Sequence, residues 1–288
     1  MGSEPLRQLH DAIVKPIAIA RTKGAWYRDW RLVSLDGSTL EVAGTTANTA
    51  EFGKASGPRG SAAYPQIRFV SLIENGTHVL FGSRMDGYTT SEHALAQQVI
   101  PGLSAGMLCL ADRLFASYSL WSRGQSTGAD LLWRVGTTFL LPSEKRLPDG
   151  SSLSSLYPSV QDRQRQHHAI PVRVIEYRLE GVAEAESNYR LITTILSDKK
   201  APAAELAALY HERWEIETAL DELKTHLRGG RIVLRSKMPD LVRQEFHDLL
   251  MAHFAVRSLL HEALRAALQT ASAVSRLSVV QQPTAFRR

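Results

Sequence analysis

Carboxylates at three widely separated positions open this chain to metal chemistry. Asp36 closes the run Arg31-Leu-Val-Ser-Leu-Asp36, Asp112 follows the apolar run Met107-Leu-Cys-Leu-Ala111, and Glu217 lies in the long segment 203–227. Carboxylate oxygens are hard donors, and a few of them suffice for Mg2+, which keeps several of its own waters. Three acids converging from strand ends and one helix are the minimal set for phosphoryl transfer over two divalent ions about 3.5–4 Å apart. Each acid also has a plainer use. Asp36 precedes Gly37 and suits a turn, Asp112 suits a helix N-cap, and Glu217 pairs with Arg213 at i,i+4 as on any helix surface.

The segment around Glu217 carries the strongest pattern. Leu206, Leu209, Ile216, Leu220, Leu223 and Leu227 form one stripe at the helical period. Tyr210, Arg213, Glu217 and Lys224 fall within a wedge of roughly 60° at about 100° per residue, bordering that stripe. His211, Glu215, Thr218 and Glu222 point to the opposite, solvated side. Lys224, Arg228, Arg231, Arg235 and Lys237 then form a basic run with no acid between them. Such a run either follows a phosphate backbone or is a solvated face.

The elements that must position these residues can be read around them. Residues 31–36 are a strand ending on an acid, Gly37-Ser38 reads as a turn and 39–42 as a return strand. Residues 43–65 have loop composition. Strands over 66–73 and 77–83 flank Asn75-Gly76, a hairpin signal. Ser91 caps a helix to Ile100, 107–111 is a buried central strand, and 115–123 is helical. Residues 131–141, 172–179 and 189–196 are β-rich, with a turn at Pro148-Asp149-Gly150-Ser151. A helix over 203–227 stops at Gly229-Gly230, a second runs from Pro239 to about Ala267, and the last residues carry little pattern. Strands interleaved with helices imply an α/β sheet domain.

Composition sets the outer bounds. The chain has 288 residues, 44% hydrophobic and 22% charged, with a net charge of +5. That suits a folded domain and weakly favours a polyanionic partner. Cys109 is the single cysteine; it is expected as a buried, inert thiol. No signal core or membrane-length apolar run is visible, and Leu6 stands where a myristoylation motif needs Ser or Thr. A soluble, intracellular protein with no membrane partner is expected.

Tyr210, then two residues, Arg213, then three, Glu217, then six, Lys224 resembles the signature of the insertion-sequence-four family of DDE-class DNA transposases. Leu35-Asp36-Gly37-Ser38-Thr39-Leu40 is similar to the family's first catalytic strand, and Leu110-Ala111-Asp112-Arg113-Leu114-Phe115 to its second acidic motif. The resemblance implies an α/β, ribonuclease-H-like catalytic domain with an all-β insertion before the last catalytic helix. It divides the chain into a remnant N-terminal segment (1–30), the first part of the core (31–130), a β-rich insertion (131–197), the catalytic helix with the end of the core (198–238), and a C-terminal helical region (239–288). Full-length relatives carry a longer helical N-terminal region that recognises the element's ends.

The same resemblance makes Asp36, Asp112 and Glu217 the catalytic, metal-binding triad for two Mg2+ (or Mn2+) ions. It implies DNA strand cleavage and strand transfer on double-stranded element ends and target DNA, with a homodimer in a synaptic complex. Tyr210, Arg213, Lys224 and Arg113 become contacts to phosphates near the scissile bond, and Arg228, Arg231, Arg235 and Lys237 contacts farther along the backbone. Tyr189 is either a cross-strand packing aromatic or, as in related hairpin-forming transposases, a platform for a flipped base, with stacking worth ~1–3 kcal/mol. One rival is a truncated, catalytically silent remnant that binds DNA or dimerises. Another is a ribonuclease-H-like nuclease of a different type, which the Tyr-Arg-Glu-Lys helix and the β-rich stretch disfavour.

Overall fold

The computed structural model describes residues 2–57, 60–178, 188–212, 219–220, 223 and 233–280, with side chains as far as residue 268. In chain order come α1 (Glu4–Ile13), β1 (Trp26–Tyr27), β2 (Trp30–Val42), α2 (Thr46–Phe52), β3 (Ser56–Gly57), β4 (Gly60–Ser61), β5 (Gln66–Glu74), β6 (Val79–Gly87), α3 (Glu92–Val99), β7 (Met107–Ala111), α4 (Tyr118–Gln125) and β8 (Asp130–Arg134). They are followed by β9 (Lys145–Arg146), β10 (Ser152–Leu156), α5 (Val160–Arg165), β11 (Ile170–Tyr177), β12 (Tyr189–Thr193), α6 (Ala203–His211), β13 (Val233–Leu234) and the C-terminal helix Pro239–Val280.

The architecture is mixed α/β around one large sheet, ordered β6-β5-β2-β7-β8-β12-β11-β10-β9, with β1 and β13 also pairing with β2. Its centre is parallel: β2 pairs with β7 and β7 with β8. Both flanks are antiparallel. Parallel strands are covered on both faces, and β7, all apolar, is buried along Leu108–Ala111. On one face α3 and α4 supply Leu95, Ala96, Val99, Leu120 and Trp121 to a core with Val33, Leu35, Cys109 and Ala111. The opposite face is covered by two further clusters. One joins Trp30, Leu32, Leu108 and Leu110 to Leu206 and Tyr210. The other joins Leu40, Val42 and Leu234 to Leu220, Leu223 and the C-terminal helix residues Val242, Phe246 and Leu250.

Several expectations change. Residues 30–42 are one continuous strand, with no turn at Gly37-Ser38. Gly37 is there for close approach: a Cβ would lie 3.0 Å from the Phe69 carbonyl oxygen and 3.2 Å from Val70 Cγ2. The stretch 43–65 holds α2, capped by Thr45, and the small hairpin of β3 and β4. The Asn75-Gly76 hairpin is present, with Gly76 at φ +79. Ser91 accepts from the Ala94 N–H at the start of α3, as the sequence suggests.

The stretch 131–197 is not all-β, since it includes α5. Nor is β8 an insertion strand: it is the third parallel strand of the core, and β12 pairs directly with it. Strands β9 to β12 therefore extend the central sheet. A β-rich composition reads alike for a core strand and an added hairpin; only the pairing partner separates them. The C-terminal helix runs through Val280, beyond Ala267. Among the described residues no helix is long and apolar enough to cross a membrane.

Candidate active site

Strand alternation places the two aspartates. On β2, Trp30, Leu32, Leu40 and Val42 bury on the face covered by α6 and the C-terminal helix, while Val33 and Leu35 bury on the other. Side chains along a strand alternate between faces, so Asp36 shares the face of Leu32 and Leu40. By the same count Asp112, two residues beyond Leu110, shares that face. The last matched pair of the β2–β7 ladder is Leu35↔Ala111. Asp36 and Asp112 are thus the next residues on neighbouring parallel strands, which lie roughly 4.8 Å apart.

The sheet opens at this point. The other edge of β2 is occupied by β5 from Val33 to Glu41. On the β7 edge, pairing stops at Leu35 and resumes only at Glu41, where Val233 of β13 takes over. Residues 36–40 thus face a slot on that edge, among the described residues. Ligands of open α/β sheets collect at such carboxyl ends. On that face Leu32 and Leu110 belong to one apolar cluster and Leu40 to the other.

Both carboxylates are half-buried and oriented by backbone. The Gly37 N–H donates to Asp36 Oδ1 at 2.8 Å, and the Arg113 N–H donates to Asp112 Oδ1 at 2.6 Å. Asp112 is the N-cap of a short 3-10 turn, Arg113–Phe115. The N-cap use anticipated for it is therefore real, and it coexists with placement beside Asp36. Across the other ladder Asp36 faces Ser71, a buried serine whose hydroxyl is 2.7 Å from that of Ser83 on β6. Cys109 is buried on the opposite face, and burial pushes its thiol up to about 12, as suits an inert core residue.

The remaining expected site residues divide. Tyr210 is buried, and its hydroxyl donates to the Ala111 carbonyl at 3.3 Å. It touches the end of the strand that leads to Asp112, an inward contact where a phosphate contact was expected. Arg113 is exposed beside Asp112, and Arg235 and Lys237 are exposed after β13. The Arg235 backbone N–H donates to Glu245. Tyr189 stacks on its cross-strand partner Tyr177, with ring centroids 5.2 Å apart, and the Arg134 guanidinium lies 4.7 Å from its ring centre. That is the packing use; a flipped base would have to displace one of these partners. Glu217, Arg213, Lys224, Arg228 and Arg231 lie outside the described residues. Among the described residues no group of three or more His, Cys, Asp or Glu is placed to hold a metal.

Comparison with known proteins bears on this geometry. The family profile described as the transposase DDE domain matches residues 28–255. The transposase InsG for insertion sequence element IS4 of Escherichia coli (strain K12) is 29% identical over 259 residues, covering 89% of this chain and 58% of that protein. A solved structure, the piggyBac transposase synaptic complex with hairpin DNA, aligns at a TM-score of 0.44 and 13% identity over 89% of this chain and 55% of that one. The chain thus spans less than two thirds of the length of these relatives. With a match that takes in Asp36, Asp112 and Glu217 and most of the sheet around the first two, the chain belongs to the family of transposase DDE domains.

Proposed function

We propose that the chain cuts DNA and joins DNA strands as an insertion-element transposase, on a ribonuclease-H-like core, with Asp36, Asp112 and Glu217 holding two Mg2+ (or Mn2+) ions. The observation that carries this reading is the register of β2 and β7, which sets Asp36 beside Asp112 on one face at an open sheet end. The donor set fits a hard divalent ion: two half-buried carboxylates, each oriented by a backbone N–H. The third acid is supplied by the chain between Tyr210 and Leu220, both of which pack on that same face.

When bound, the ions supply Lewis acidity to the attacking oxygen, a water or a DNA 3′-hydroxyl, and to the leaving oxygen. The protein's own share is orientation. The two N–H bonds hold the carboxylates in one rotamer each. Arg113, Arg213 and Lys224 hold the phosphates flanking the scissile bond, and Arg228, Arg231, Arg235 and Lys237 follow the backbone beyond it. The substrate is double-stranded DNA, as element ends and as target, handled by two copies of the chain in a synaptic complex.

The test is nicking of DNA carrying candidate element ends in Mg2+. Glu217→Gln keeps the side chain's size and removes an anionic ligand, so cleavage is lost while DNA binding persists. Glu215→Gln, on the opposite side of the helical wheel, leaves cleavage unchanged. Nicking by Glu217→Gln at the wild-type rate would sink the proposal, and equal losses in both variants would reduce the effect to general charge.

A further inference from the structure

The helix that leads toward Glu217 starts without a cap of its own. The N-cap position of α6 is Pro202, which has no side-chain acceptor, and no side-chain bond of its own caps the helix. An acceptor arrives from elsewhere: Asp149 Oδ2 receives the Ala203 N–H at 2.8 Å from 54 positions earlier in the chain. Asp149 sits in the turn between β9 and β10 and is itself held by Ser151, whose hydroxyl donates to its Oδ1 at 2.5 Å.

The partner of Asp149 is Arg173 on β11, a fully buried arginine. Each nitrogen of its guanidinium has an acceptor. Nε donates to Ser151 Oγ at 2.8 Å, one terminal nitrogen donates to the carbonyls of Ala201 at 2.7 Å and Ser197 at 3.2 Å, and the other pairs with Asp149. One buried node therefore ties β11, the β9–β10 turn and the 197–201 segment to the first N–H of α6. A second grip on α6 is solvent-exposed: Tyr27 and Arg28 bind Glu205. Exposed pairs contribute little, whereas a buried charge stripped of its partner is strongly destabilising, so the Asp149–Arg173 node dominates.

We propose that Asp149 and Arg173 are positioning residues for the reaction, with the β9–β12 extension setting the start of α6 and through it the approach of Glu217 to Asp36 and Asp112. This rests on Glu217 being the third acid. A cap that fixes the start of α6 fixes where the chain leaves it at His211 on the way to Glu217, and misplacement of a reacting group by about 1 Å can cost 100-fold in rate.

The experiment compares Asp149→Ala, Asp149→Asn and Glu217→Gln in the full chain by amide hydrogen exchange, DNA affinity, and nicking as a function of Mg2+ concentration. In Asp149→Ala the α6 amides exchange several-fold faster, nicking falls about tenfold or more with a raised Mg2+ requirement, and DNA affinity stays within about twofold. Asp149→Asn keeps an acceptor for the Ala203 N–H and recovers part of both the protection and the rate; it also carries the comparison if the alanine variant does not fold. Faster exchange with unchanged nicking and Mg2+ dependence overturns the positioning role and leaves the assignment of Glu217 intact. A nicking loss that only tracks the folded fraction overturns it as well. If Glu217→Gln itself nicks normally, the underlying reading fails, and the positioning role fails with it.

Discussion

The hydroxyl of Tyr210 donates to the carbonyl of Ala111, the residue immediately before Asp112. A side chain at the end of α6 thereby touches the strand that presents one of the two described acids. Tyr210→Phe keeps the ring in its cluster and deletes one hydrogen bond, so stability should fall by about 1 kcal/mol. Nicking should drop while the salt dependence of DNA binding stays as it is. A tyrosine reaching a phosphate would instead weaken DNA binding, and that result in a filter or fluorescence titration would reverse the inward assignment.

Glu74 anchors the N-terminal segment to the hairpin between β5 and β6. Its carboxylate is fully buried, accepts the N–H groups of Ile17 and Ala18 at 2.8 and 2.9 Å and the Thr77 hydroxyl at 2.6 Å, and pairs with Arg31. Removing the carboxylate leaves the Ile17 and Ala18 N–H groups and the Thr77 hydroxyl without their acceptor, at a cost of about 1–3 kcal/mol. Glu74→Ala should therefore lose about that much in urea unfolding. The double variant with Arg31→Met should lose less than the sum of the two single variants, and simple additivity would show the pair to be uncoupled.

His10 of α1 and His247 of the C-terminal helix meet edge to face, with ring centroids 5.5 Å apart. Burial pushes both imidazoles below their ordinary value. Charged groups close by are Asp11, 3.1 Å from His10 Nδ1, with Arg84 and Arg7 paired to it. Because the folded state resists protonation, the unfolded chain binds more protons once the pH drops below about 6.5. Stability contributed here is complete above that pH and lost as the pH falls through it. For Asp11, burial works against ionisation, but the bonds from Arg84 and His10 outweigh it and hold the carboxyl low. Its contribution is present above about pH 4 and is lost only below. Replacing both histidines by Gln should flatten the stability profile between roughly pH 5 and 7. An unchanged slope in urea midpoints across that range would point to other groups.

Arg113 is exposed just after β7, and Arg235 and Lys237 are exposed after β13. Each phosphate contact removed lowers the slope of log K against log salt by about 0.9. The triple change to Gln should lower that slope by roughly 2–3 without altering the unfolding free energy by more than about 0.5 kcal/mol. An intact slope would assign these charges to the solvated surface.

Much of the candidate site was legible in residue order alone. The short apolar run before Asp112 suggests a buried strand, and it is one; a strand reaching Asp36 is readable from alternation, but its continuation to Val42 is not. Of the helix expected over 203–227 from local periodicity, Ala203–His211 is helical, and Arg213, Glu217 and Lys224 lie outside the described residues. Local signals also gave the Asn75-Gly76 hairpin and the Ser91 cap, because both depend on neighbours in the chain. What the sequence could not decide was pairing. Whether residues 39–42 turn back or run on depends on β5 lying alongside β2, and Gly37 serves the backbone of Phe69 rather than a turn. Whether β8 belongs to the core depends on β7. The adjacency of Asp36 and Asp112 is a register between strands separated by some seventy residues, and no local pattern encodes it. The partners of Asp149 and Arg173 are likewise long-range. A buried arginine finds its acceptors only when the chain has folded, because the low dielectric that makes those bonds obligatory exists only in the interior.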